Sequence, residues 1–115
     1  MTQKEKMIAG ELYNAADAEL TELRARARLI FDEYNSTSVS ELEQRKELIK
    51  KLFGGTGDKF YVEPSFKCDY GFNIYVGENF YANFDCVFLE KCRITVGNNS
   101  RRWGFIPLRT RLTPP

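Results

Sequence analysis

The sequence predicts an α+β fold, with N-terminal α-helices followed by the first coils of a parallel β-helix, and three features carry that expectation. Apolar residues in the front half recur at three-and-four spacing, those in the back half recur every six residues, and Gly54-Gly55-Thr56-Gly57 marks the change. At 115 residues, 43% of them apolar, the chain has material for one small core and is too hydrophobic for wholesale disorder.

A short first helix is expected between Thr2 and Gly10. Asp17 is placed to cap a longer one, whose inward positions are Leu20, Leu23, Ala27, Ile30, Phe31 and Tyr34. Arg24, Arg26, Arg28, Asp32 and Glu33 fall mostly on the opposite, solvated face. Asn35-Ser36-Thr37-Ser38 interrupts the pattern. Ser40 and Glu43 have the spacing of a capping box, opening a helix through Leu42, Arg45, Leu48, Ile49 and Leu52 that ends where Phe53 meets the glycines.

Beyond Gly57 the chain consists of short aromatic and β-branched runs separated by glycine and asparagine. Val62, Cys68, Ile74, Phe80, Cys86 and Cys92 share one six-residue phase, and Val76, Ala82, Phe88 and Ile94 share another. Such a hexad marks a parallel β-helix, in which three short strands make one coil and like positions stack. The segments Val76-Gly77-Glu78-Asn79 and Val96-Gly97-Asn98-Asn99 lie twenty residues apart, so the phase slips by two, read as a corner insertion near Lys91 to Arg93. A short antiparallel sheet is the alternative on periodicity alone.

Composition excludes several functions. Seventeen basic against sixteen acidic residues leave a net charge of +1, without the basic excess of a nucleic-acid binder. No apolar run reaches the length of a membrane span, and a cytoplasmic protein is expected. Cys68, Cys86 and Cys92 have no CxxC spacing and no histidine to complete a metal site, so no metal is expected and the cysteines read as small buried hydrophobes. The absence of histidine also removes the usual general base near neutral pH.

Three stretches together resemble the maltose and galactoside O-acetyltransferases, hexapeptide-repeat acyltransferases. Lys4-Glu5-Lys6-Met7-Ile8-Ala9-Gly10-Glu11-Leu12-Tyr13 is similar to their opening, the helices up to Phe53 look like their small N-terminal domain, and Cys68 to Asp85 is similar to their first coils, above all in Asn79-Phe80-Tyr81-Ala82-Asn83-Phe84. The resemblance implies a helical domain over 1–57, the start of a left-handed β-helix over 58–99, and assembly as a homotrimer. It implies acetyl transfer from acetyl-CoA, the co-substrate, to a sugar hydroxyl, with a histidine taking the hydroxyl proton. It places Asp69, Asn83 and Glu90 at acceptor-binding positions, with Lys91 standing where some members carry a second acid. Asn14 is expected to cap a helix end, with contact to the acceptor as the other reading.

The family histidine belongs to a later segment ending in Thr-His-Pro. Residues 100–115 instead form an aberrant tail with four arginines and a closing Pro-Pro. With a suitable choice of synonymous codons, a frame starting at the last base of the Asn99 codon encodes a peptide that begins Phe-Ala-Pro and ends Thr-His-Pro. A frame shift is thus the expected origin of the tail, a genuine short tail the alternative, and the DNA sequence decides. Trp103, Phe105, Ile106 and Leu108 are candidates for an improvised cap, set against a frayed tail. The 115 residues are expected to transfer no acetyl group and to bind acetyl-CoA poorly. A non-catalytic sugar-binding or oligomerisation module is the competing account, and an unrelated interaction protein the third.

Overall fold

The computed structural model of the chain describes residues 1–102, 105 and 106, the last two and Arg102 through their backbone alone. Three helices come first: α1 (Gln3–Ile8), α2 (Ala18–Asn35) and α3 (Leu42–Leu52). Thr2 and Glu5 form a reciprocal capping box on α1, which the sequence reading had not singled out. Asp17 caps α2 as expected, its carboxylate accepting from the N–H groups of Glu19 and Leu20. The box expected at Ser40 does not form. Glu41 is the N-cap of α3 without a side-chain bond, and its carboxylate instead accepts from the N–H of Ser38 at 2.9 Å. Ser40 turns its hydroxyl to that of Ser38 at 2.8 Å. The reciprocal spacing is therefore used two residues earlier, to close the turn between α2 and α3.

Among the described residues eight short strands follow: β1 (Phe60–Val62), β2 (Phe66–Cys68), β3 (Ile74–Val76), β4 (Phe80–Ala82), β5 (Cys86–Phe88), β6 (Ile94–Val96), β7 (Arg101–Arg102) and β8 (Phe105–Ile106). They form three narrow sheets with the orders β1-β4-β7, β2-β5-β8 and β3-β6. Every pairing is parallel, which removes the antiparallel alternative. The chain visits each sheet in turn and returns to the first, so that Phe60 pairs with Phe80, Phe66 with Cys86 and Ile74 with Ile94. One circuit thus takes twenty residues, three strands and three corners.

Both ends of a typical strand face inward while its middle residue faces out. This explains the two hexad phases: between Ile74 and Phe88 one follows strand starts (Ile74, Phe80, Cys86) and the other strand ends (Val76, Ala82, Phe88), and each changes from ends to starts across an insertion, at Cys68 to Ile74 and at Phe88 to Ile94. The two-residue insertion recurs in both circuits, at 69–73 and at 89–93, and was hidden in the first because Cys68 ends a strand and Ile74 begins one. It also corrects the reading of Cys92. That residue lies in the insertion and is half-buried, whereas Cys68 and Cys86 point into the core.

A single apolar cluster joins Ala27, Phe31 and Tyr34 of α2 and Ile49 and Leu52 of α3 to the strand interiors. Within it Phe53, Phe66, Phe88 and Phe80 form a chain of ring contacts with centroids 5.6, 5.7 and 6.5 Å apart. The helices cover the interior of the first circuit, whose apolar side chains would otherwise face water.

Pairing continues past residue 99. Arg101 and Arg102 lie opposite Tyr81 and Ala82, and Phe105 and Ile106 lie opposite Val87 and Phe88. The register shortens by two between these pairs. Of the four cap candidates, Phe105 and Ile106 are described through the backbone of β8, whereas Trp103 and Leu108, with Gly104 and the rest of 107–115, lie outside the described residues.

Candidate functional site

The corners leave backbone N–H groups off the strand ladders, and side chains of the next circuit take them up. The Glu78 carboxylate accepts from the N–H groups of Asp58 and Lys59, and the Asn98 side chain accepts from that of Glu78 at 2.9 Å. Asn79 and Asn99, both with positive φ, stack with Nδ2 of one 2.9 Å from Oδ1 of the other. Asparagine suits these corners because its short polar side chain tolerates the left-handed region.

Asp69 stands at the corner between β2 and β3, half-buried where two clefts meet. One, of about 260 Å³, is lined by Tyr13, Ala15, Arg24, Asp69, Tyr70 and Lys91. The other, of about 310 Å³, lies between α2 and the strands, with Arg28, Asp32, Lys67 and Asp69 on its walls. Burial raises the Asp69 carboxyl above its ordinary pKa, against the opposing pull of Lys91, Arg24 and Arg28. Arg24 had been placed on the solvated face. Its guanidinium instead donates to the Tyr70 hydroxyl at 2.8 Å and to the Ala15 carbonyl at 2.7 Å. Its position one turn after Leu20 and one turn before Ala27 was the available signal, since that stripe faces the strands. Tyr13 and Tyr70 likewise line the cleft without having been singled out for it, beside Lys91, which the family resemblance sets next to Glu90 in place of a second acid.

Glu90 is fully buried. Its carboxylate accepts from the N–H of Asp69 at 3.1 Å, from that of Tyr70 at 2.7 Å, and from that of Gly71. Burial lifts its pKa to about 7, opposed by the bonds from Gly71 and Tyr70. Asn83 follows β4 on a different corner, its Oδ1 accepting from the N–H of Phe84 at 2.8 Å, with the Phe84 ring exposed. The structure thus brings Asp69 and Glu90 together and leaves Asn83 apart from them. Asn14 closes a turn ahead of α2, its Oδ1 3.0 Å from the N–H of Ala16, while Asp17 is the helix cap. Among the described residues no group of three or more Cys, Asp or Glu side chains is placed to hold a metal ion, and no helix is long and apolar enough to cross a membrane.

Helices that seal a circuit of short parallel strands are an arrangement this chain shares with hexapeptide-repeat acetyltransferases. Residues 6–57 match the maltose acetyltransferase hexapeptide capping motif. A Dictyostelium discoideum protein assigned provisionally to the acetyltransferases is 50% identical over 100 residues, 87% of this chain and 52% of the relative. The crystal structure of a maltose O-acetyltransferase from Clostridium difficile 630 superposes with a TM-score of 0.80 at 40% identity, covering 88% of this chain and 57% of that one. A galactoside acetyltransferase in complex with coenzyme A superposes with a TM-score of 0.78 at 37% identity, covering 84% and 48%. The chain belongs to the maltose and galactoside O-acetyltransferase family. It spans about half the length of the relatives it matches.

Proposed function

We propose that the chain carries the acceptor-binding part of an acetyl-CoA-dependent O-acetyltransferase acting on a sugar hydroxyl, of the maltose and galactoside type. The observation that carries this reading is the cleft at Asp69, set in a chain that superposes on enzymes of that name. The three-sheet circuits support a left-handed β-helix, the fold the family resemblance implies. Asp69 presents a carboxylate to an acceptor hydroxyl, Asn83 a side-chain amide from its own corner, and Glu90 shapes the turn beneath. A homotrimer, as the family resemblance implies, is the proposed assembly, and the cytoplasm is the proposed location.

In the complete reaction the acceptor oxygen attacks the thioester carbon, the carbon–sulfur bond breaks, an ester bond forms, and the hydroxyl proton passes through a base to the coenzyme thiol. Acetyl-CoA supplies the acyl group in that scheme. None of these 115 residues is a histidine, so the step has no base of that kind here. The same fact favours the second reading, a non-catalytic sugar-binding or oligomerisation module.

Ligand-observed NMR with maltose and a galactoside, beside an assay of thiol release from acetyl-CoA, tests the proposal. Binding of at least one sugar that Asp69→Ala abolishes, with no thiol release and acetyl-CoA affinity weaker than micromolar (about −8 kcal/mol), is the expected result. Failure of both sugars to bind at millimolar concentration would overturn the acceptor reading, and sugar-dependent thiol release would overturn the assignment of inactivity.

A further inference from the structure

Glu90 is placed as no group that meets a ligand would be. Its side chain is 0% exposed, and its two oxygens already take three N–H donors. A carboxylate has about four acceptor sites, so little capacity is left for a sugar hydroxyl. The three donors are consecutive, from Asp69, Tyr70 and Gly71, and converge on one anion in the manner of a backbone nest. Here the anion comes from the chain itself, one circuit further on.

The need for it follows from the corner insertion. The Asp69 N–H is shared with the Phe88 carbonyl at 3.2 Å, the last ladder bond of β2; beyond it the two extra residues of 69–73 take the backbone off the ladder, and Gly71 turns it with a φ of 85°. A Cβ at Gly71 would lie 2.6 Å from the Leu52 carbonyl oxygen, so α3 closes the turn from below while Glu90 holds it from the following circuit. Asp69 and Tyr70, the first two residues of that turn, line the cleft together, and Tyr70 receives the Arg24 guanidinium.

We propose that Glu90 is a positioning residue of the acceptor cleft, whose buried carboxylate gathers the N–H groups of Asp69, Tyr70 and Gly71 and so fixes where the Asp69 and Tyr70 side chains stand. The statement about the cleft rests on the acceptor reading above; the grip on the turn does not. Protonating Glu90 places a hydrogen among three donors, so the turn loosens. The ionisable groups that face it are the Asp69 carboxyl and the Cys68 thiol of the preceding circuit. Lys91 follows it in sequence, and Arg24 and Arg28 of α2 act on Asp69. Burial holds the Cys68 thiol well above its ordinary pKa, and burial also raises the Asp69 carboxyl, whose charge acts most directly on its own amide signal. Gly71 is therefore the cleaner reporter.

The test follows the backbone amide signals of this chain by two-dimensional NMR between about pH 5 and 9. Tyr70 and Gly71 should shift together with a common midpoint near 7. The titration should survive in Asp69→Asn and disappear in Glu90→Gln. Amide exchange at Tyr70 and Gly71 in Glu90→Gln should be faster by about tenfold or more, the effect of losing charge-assisted bonds. Maltose binding by the wild type should weaken about tenfold per pH unit below the midpoint, because the competent population falls in that ratio. An unchanged Gly71 signal across the range, or one that still titrates in Glu90→Gln, overturns the grip. If Glu90→Gln does not fold, the wild-type and Asp69→Asn titrations decide. A Gly71 titration with pH-independent sugar binding overturns the positioning role alone, and absence of sugar binding at every pH refutes the acceptor reading while the titration still judges the grip.

Discussion

At the last turn of α2, Asn35 stands in for a neighbouring strand. Its Nδ2 donates to the Phe66 carbonyl at 2.9 Å, and its Oδ1 accepts from the Phe66 N–H at 2.8 Å. Phe66 opens β2 in the first circuit, and its ring is fully buried. Asn35→Ala leaves both backbone groups without a partner at a site where the helix limits access of water. Each such loss costs about 1–1.5 kcal/mol, and alanine recovers about 0.5 kcal/mol of helix propensity, so the net expectation is a loss of about 2 kcal/mol. Helices and strands share one core, so unfolding should be a single transition. Urea unfolding followed by far-UV circular dichroism should show that loss with an unchanged slope, and Tm should fall by roughly 8–12 °C. Glu22→Ala, exposed on the same helix, should remain within about 0.5 kcal/mol of wild type. If Asn35→Ala were as mild as Glu22→Ala, the account of Asn35 as a strand surrogate would be wrong.

Three further outcomes are expected. Tyr34→Phe removes the hydroxyl that donates to the Val62 carbonyl from a buried ring, and chemical denaturation should show a loss of about 1–3 kcal/mol. Gly71→Ala combines a positive φ with backbone overlap at Leu52, so thermal unfolding should report a larger loss than Tyr34→Phe; an equal or smaller one would contradict the close approach. Glu90 has its folded pKa raised from 4.5 to about 7, so the folded state binds the proton more tightly than the unfolded one. Its contribution to stability is complete below about pH 4.5 and lost as the pH rises through about 7, on the order of 3 kcal/mol in all. The stability difference between wild type and Glu90→Gln should shift by that amount over the interval, in the direction that penalises wild type at high pH, and a flat difference would refute the raised pKa.

The order of helices before strands, the Asp17 cap and the inward stripe of α2 were legible from residues alone, because each depends on neighbours three or four positions away. The hexad pointed to stacked parallel strands for a similar reason: a period in sequence becomes a repeat in space when each circuit has the same length. The family resemblance drew attention to Asp69 and Glu90 but left their roles undivided. Only the tertiary structure separated a half-buried carboxylate that lines a cleft from a buried one spent on backbone donors, because burial and donor geometry are properties of the twenty-residue offset between circuits and of no single segment. The same holds for Arg24, whose charge suggested solvent but whose length carries its head group over the core edge to Tyr70. Ser40 is no cap because Glu41 occupies the N-cap position and the Ser40 hydroxyl pairs with that of Ser38. Local rules thus set the elements of this chain, and the stacking of one circuit on the next decided which polar groups were left to face a ligand.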